Sequence, residues 1–105
     1  MRKINISDDA CFDIDEIFSY VSQENKKAAK ELRKRIYDGI KGLQEFPFKH
    51  PAVLEEDAPG AERGYRYMVI QPYIVFYRVL DDRIVIVRVL HSKQNWLRLI
   101  SGTEI

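Results

Sequence analysis

Residues 65–90 read YRYMVIQPYIVFYRVLDDRIVIVRVL. Three runs rich in Tyr, Val, Ile and Phe, at 65–70, 73–80 and 83–90, are separated by Gln71-Pro72 and Asp81-Asp82. β-Branched and aromatic residues suit the pleated surface of a strand, and a two-residue polar break between such runs has the length of a tight hairpin turn. The stretch predicts an antiparallel meander. With Asp81-Asp82 as a two-residue turn, position 80 faces 83, 78 faces 85 and 75 faces 88, which sends Arg78 and Arg88 to opposite faces. A sheet with one wet face alternates apolar and polar residues, but here both faces of the last two strands are apolar, so both should be covered.

Upstream of the meander, residues 47–64, PFKHPAVLEEDAPGAERG, carry three of the four prolines and no regular period, which predicts a loop. Before it, Ala29, Leu32, Ile36, Ile40 and Leu43 form one apolar stripe at helical spacing, with Asn25 as N-cap and a stop near Phe46 ahead of Pro47. The bases Lys26, Lys27, Lys30, Arg33, Lys34 and Lys41 mostly point elsewhere and are read as a solvated face. An earlier stripe runs through Ala10, Ile14, Ile17, Phe18 and Val21, opened by Ser7 as N-cap and by Asp8 and Asp9 at the positive end of the helix dipole. Cys11 lies on or beside this stripe and reads as a small buried hydrophobe. Residues 2–6, RKINI, alternate as a short strand. The order is β-αα-βββ. This is an α+β fold, a helical hairpin packed on one face of a small, mainly antiparallel four-stranded sheet. The hairpin covers one face only, and in a chain this small the candidate cover for the other is another molecule.

Composition narrows the function. A chain of 105 residues, 46% hydrophobic and 31% charged, is one folded domain spanning 1–105. Lys and Arg number 17 against 16 Asp and Glu, so binding of nucleic acid by bulk charge is not expected. No apolar run reaches the ~20 residues of a membrane span and the start lacks a signal peptide's apolar core, which predicts a cytoplasmic protein with no membrane partner. Cys11 is the only cysteine, and His50 and His91 are the only histidines. No disulfide, metal centre or cofactor is expected.

The meander ends in RVLHSKQNW, 88–96, where an apolar strand runs out into side chains suited to catalysis or recognition. Histidine is the side chain type whose unperturbed pKa lies nearest neutrality, which makes His91 a candidate acid or base; as a strand-end residue it also suits a backbone hydrogen bond. Trp96 suits an interface anchor or a tail packed on the sheet. Tyr65, Tyr67, Tyr73 and Tyr77 fit base stacking or, more simply, sheet formation.

Residues 64–96, GYRYMVIQPYIVFYRVLDDRIVIVRVLHSKQNW, resemble the C-terminal half of RelE/ParE-superfamily toxins of type II toxin–antitoxin modules. The similarity continues upstream through DDACFDIDEIFSYV and LQEFPFKHP and covers nearly the whole chain. The resemblance implies a growth-inhibiting toxin, with plasmid stabilization among its roles, silenced by a cognate antitoxin that wraps its exposed apolar surface. Two activities are implied by the superfamily. RelE-like members cleave mRNA in the ribosome, and ParE-like members poison DNA gyrase. RNA cleavage needs a base, an acid and cations around the pentavalent phosphate. Laid onto the RelE-like set, Arg66 matches the first-strand basic position, but the next such position holds Met68, the second-strand arginine falls on Ile74, and the C-terminal arginine and tyrosine fall near Trp96 and Ile100. The resemblance therefore points to a ParE-like toxin acting on gyrase, with Arg78, Lys93, Trp96 and Tyr77 as recognition residues for target or antitoxin. The alternatives are a ribosome-dependent endoribonuclease using His91 and Arg66 on mRNA, and a nontoxic relative that only binds antitoxin.

Overall fold

The computed structural model of the chain describes residues 1–54 and 64–101. Strand β1 (Lys3–Ile6) leads into helices α1 (Asp8–Ser22) and α2 (Lys26–Gly42). Strands β2 (Tyr65–Ile70), β3 (Tyr73–Val79) and β4 (Arg83–His91) follow, then a short helix α3 (Trp96–Ser101). The four strands form one sheet in the order β1-β4-β3-β2. Its β2–β3–β4 part is the expected antiparallel meander, and β1 joins parallel to β4, from Lys3 opposite Arg83 to Ile6 opposite Ile86.

Both helix starts form where their capping residues allow. Ser7 Oγ accepts the Ala10 N–H at 3.0 Å, and Asn25 Oδ1 accepts the Ala28 N–H at 3.0 Å, each satisfying a donor that the first helical turn leaves without a partner. Helix α2 ends at Gly42, and the chain continues in turns up to Glu45. Gly39 sets how closely α2 approaches the sheet: a Cβ there would stand 2.7 Å from Ile70 Cδ1 and 3.1 Å from Met68 Cε.

The apolar stripes of the two helices lie on one face of the sheet. Ala10, Ile14, Ile36 and Ile40 pack there against Val75, Tyr77, Ile84 and Ile86. The other face carries Tyr65, Ile74, Phe76, Val85, Val87 and Leu90. Part of its cover comes from the chain itself, since Ile100 and Trp96 of α3 and Val53 of the preceding loop pack against it. The expected outside molecule is thus needed for less of this face than the strand pattern suggests. Cys11 also differs from expectation. It is exposed, because the buried line of α1 runs through Ala10, Asp13 and Ile14 and leaves position 11 outside it.

The turn at 81–82 is closed by the Leu80 N–H donating to Arg83 O at 2.8 Å, and Arg78 faces Val85 as expected. Beyond that the register slips. Tyr77 faces Ile86 but Phe76 faces Arg88, so Val87 is an extra residue and Val75 meets Val89, not position 88. A bulge of this kind bends the strand and re-aims a side chain. Here Arg88 stays on the α1 side, where alternation from Ile84 and Ile86 already puts it, and the residues after it change face: Val89 joins the helix-side core and Leu90 the other. Arg88 donates from Nε and Nη2 to the two oxygens of Asp13 at 2.7 and 2.9 Å, and Asp13 Oδ2 also accepts the Val89 N–H at 2.9 Å. The hydrogen bond to Asp13 raises the Arg88 pKa above its ordinary value. Arg78 lies on the other face, its guanidinium 5.9 Å from the centre of the Tyr65 ring. The two arginines are therefore separated as expected, although the register behind that expectation was one residue out.

Asp13 is buried, so removing its carboxylate strands both a guanidinium and a backbone N–H. Asp13→Ala should lower stability by about 3 kcal/mol, the scale for breaking one side of a buried ion pair. Asp13→Asn, which keeps an oxygen for Val89, should lose less. Urea unfolding of the two variants, read by circular dichroism, checks that order.

Candidate interaction surface

The polar residues after β4 build a turn. Gln94 Oε1 accepts the His91 N–H at 2.7 Å, the Gln94 N–H donates to His91 O at 3.0 Å, and the Ser92 N–H donates to Pro72 O at 2.9 Å. The imidazole is engaged as well. His91 Nδ1 accepts the Lys93 N–H at 3.0 Å, and its ring meets the Tyr73 ring edge-on, centroids 5.2 Å apart. The turn redirects the chain so that Trp96 lies over Phe76, ring centroids 5.2 Å apart.

Arg66 sits at the far end of the sheet. It pairs with Tyr77 on β3, whereas His91 pairs with Tyr73. Four residues at about 3.3 Å each put these positions about 13 Å apart along the sheet, with β3 between them. Arg66 Nη1 donates to His50 O at 2.7 Å, and its guanidinium lies 5.0 Å from the centre of the Phe48 ring. Burial and the nearby Lys49 hold the His50 imidazole below its ordinary pKa. Tyr77 is fully buried and donates its hydroxyl to Pro47 O at 2.9 Å. Burial pushes the phenols of Tyr77 and Tyr73 above the ordinary tyrosine value, which keeps both protonated at neutral pH. His91 and Arg66 do not converge on one phosphate. Lys93 is exposed beside His91, Trp96 is half-buried on the second face, and Arg78 borders that face at Tyr65.

The second face holds the apolar feature that sequence reasoning missed. A groove of about 550 Å³ is lined by Pro51, Val53, Leu54, Tyr67, Ile74, Phe76 and Trp96, with Ala52 at its wall. One wall is an edge pairing: the Val53 N–H donates to Tyr65 O at 2.8 Å and the Tyr67 N–H to Pro51 O at 3.1 Å. Pro51 has no N–H to return to the strand, so the pairing ends there. The available signal was the apolar tetrapeptide Pro51-Ala52-Val53-Leu54 inside an otherwise polar loop. Among the described residues, no group of three or more His, Cys, Asp or Glu is placed to hold a metal ion, and no helix is long and apolar enough to cross a membrane.

Residues 4–96 match the family model described as ParE toxin of type II toxin-antitoxin system, parDE. The chain belongs to the ParE toxin family. It is 29% identical over 89 residues to "Putative toxin Y4kP" of Sinorhizobium fredii, a match covering 83% of this chain and 84% of that one. A solved structure titled "Chromosomal ParDE TA system from P. aeruginosa" has the same fold, with a TM-score of 0.68 at 23% identity over 87% of this chain and 96% of the other.

In this ParE-family chain, Trp96 holds the tail on the second face. Trp96→Ala should cost about 2 kcal/mol, less than the ~3–5 of a fully buried aromatic because the ring is half-exposed. It should also raise binding of a hydrophobic dye, as the groove loses one wall. Urea titration with dye fluorescence tests both.

Proposed function

We propose that this ParE-family chain is a growth-inhibiting toxin that acts in the cytoplasm by binding DNA gyrase, and that a cognate antitoxin silences it at the groove beside Trp96. The observation that carries this reading is the separation of Arg66 from His91. A nuclease needs its base, acid and cations around one phosphate, and here the best candidates lie at opposite ends of the sheet. Each is also tied to a neighbour, His91 Nδ1 to the Lys93 N–H and Arg66 to His50 O. A binding mechanism asks less of them. It needs a shaped surface with an aromatic anchor and charges at the rim, which Trp96, Lys93 and Arg78 supply beside the apolar groove. An antitoxin segment entering the groove would bury the exposed parts of Leu54, Tyr67 and Trp96 and so finish covering the sheet.

Expression of the chain alone in a bacterial host, followed by growth, primer extension on mRNA and plasmid supercoiling, tests the reading. The expected result is arrest with intact mRNA and altered supercoiling, kept in His91→Ala. Codon-registered cuts that disappear in His91→Ala would replace it with the nuclease reading, and absence of arrest would leave a nontoxic antitoxin binder. Co-expression with the neighbouring small open reading frame should raise the soluble yield, and equal yield without it would count against an antitoxin at the groove.

A further inference from the structure

The outer surface of the helical hairpin, on the side of the sheet away from the groove, is segregated by charge. Helix α1 carries five acids and no base, and four of them, Asp8, Asp9, Asp15 and Glu16, are exposed. Helix α2 carries seven exposed bases against two acids, Glu31 and Asp38. Among the described residues no ion pair joins these acids to these bases. Asp13 pairs with Arg88 on the sheet, Lys34 pairs with Asp38 within α2, and Arg33 lies over the Phe18 ring at 4.1 Å. Exposed aromatics accompany the charges: Tyr37, 41% exposed, lies where the two helices meet, beside Cys11, Asp15 and Arg33, and Phe12, 64% exposed, is flanked by Asp8, Asp9, Asp15 and Glu16 on the crest of α1.

We propose that this surface binds a second copy of the chain, α1 of each protomer lying on α2 of its partner. The charge pattern selects that occupant because the surface is complementary to itself. A twofold axis parallel to the helices sets each acidic row over a basic row and each helix antiparallel to the one it meets. Such an interface is isologous and closes at two subunits. Tyr37 falls near that axis, at the seam between the helices, and Phe12 on the crest of α1 meets the partner's α2, so apolar contacts are set among the charged ones. Fifteen residues of α1 span about 22 Å, and two adjacent helices are about 20 Å wide, a footprint of about 450 Å² per protomer. Both protomers together bury about 900 Å², below the ~1,200–2,000 Å² of stable complexes. The dimer is therefore weak and salt-sensitive, and it leaves the groove open.

Sedimentation velocity of the full chain from about 5 to about 200 µM, in ~50 mM and ~500 mM NaCl, tests this. A dimer should form at the higher concentrations in low salt and weaken at least about tenfold in high salt. The double variant Asp15→Lys with Glu16→Lys should be monomeric, as should Lys30→Glu with Lys34→Glu. An equimolar mixture of the two should sediment as a dimer, because both cross-contacts then regain opposite charges. Phe12→Ala should weaken the dimer while leaving its salt dependence. A folded wild-type chain that stays monomeric throughout overturns the proposal, as does a dimer unaffected by charge reversal or folded reversed variants that fail to pair. Reversed variants that lose antitoxin binding from a monomeric wild type would assign the surface to the antitoxin and overturn it too.

Discussion

The fold depends on how the outer edge of β4 is closed once β1 runs out. Strand β1 pairs with β4 only as far as Ile86, and the next backbone groups on that edge would be buried without partners. They are satisfied in sequence by the chain leaving β1. The Ser7 N–H donates to Ile86 O at 3.0 Å, Ser7 Oγ donates to Val87 O at 2.9 Å, and Asp13 accepts the Val89 N–H. Ser7 does this while capping α1. The groups that start the helix therefore also finish the sheet edge, which fixes the hairpin's position before any apolar contact is counted. Arg88 completes the arrangement because a buried carboxylate needs a partner of opposite charge; alternation from Ile84 and Ile86 puts it on the α1 side, and the bulge at Val87 brings Val89 to that side as well.

With the hairpin fixed on one face, the two faces differ in character. The helix-covered face is closed by long elements that bury whole side chains such as Ile36 and Ile86, each worth roughly 1.5–3 kcal/mol. The opposite face is covered by one short helix and a loop segment that stops pairing at Pro51. Cover of that kind opens at lower free energy than the core. It leaves the groove available to a partner without unfolding the hairpin or disturbing the Asp13–Arg88 pair.

Much of this was legible in the sequence, and each failure has its own physical cause. The caps at Ser7 and Asn25, both helical stripes, the three strands and the turn at 81–82 were each announced by local chemistry. The bulge was not. Slipping a strand by one residue normally exposes an apolar face, but both faces of β3 and β4 are apolar, so the hydrophobic pattern was the same in either register. Asp13 looked like one of several acids opening α1 and revealed its partner only in three dimensions. Helix α3 has too few turns to show a period. Cys11 differs from Ala10 by one step around the helix, and one step decides which of them is buried.

His91 and Arg66 show why the chemistry was harder to read than the fold. Residue type is a local property, whereas a catalytic centre is a matter of convergence, and sequence order gives no distance between β2 and the end of β4. Lysine, glutamine and histidine after a strand suit an active site and suit equally well a turn that must satisfy its own backbone. The hydrogen bonds of Gln94 and His91 show the second use. What the turn achieves is the placement of Trp96 on Phe76, beside the groove. The polar end of the last strand thus serves the binding surface through geometry, and its side chains need no reactivity to do so.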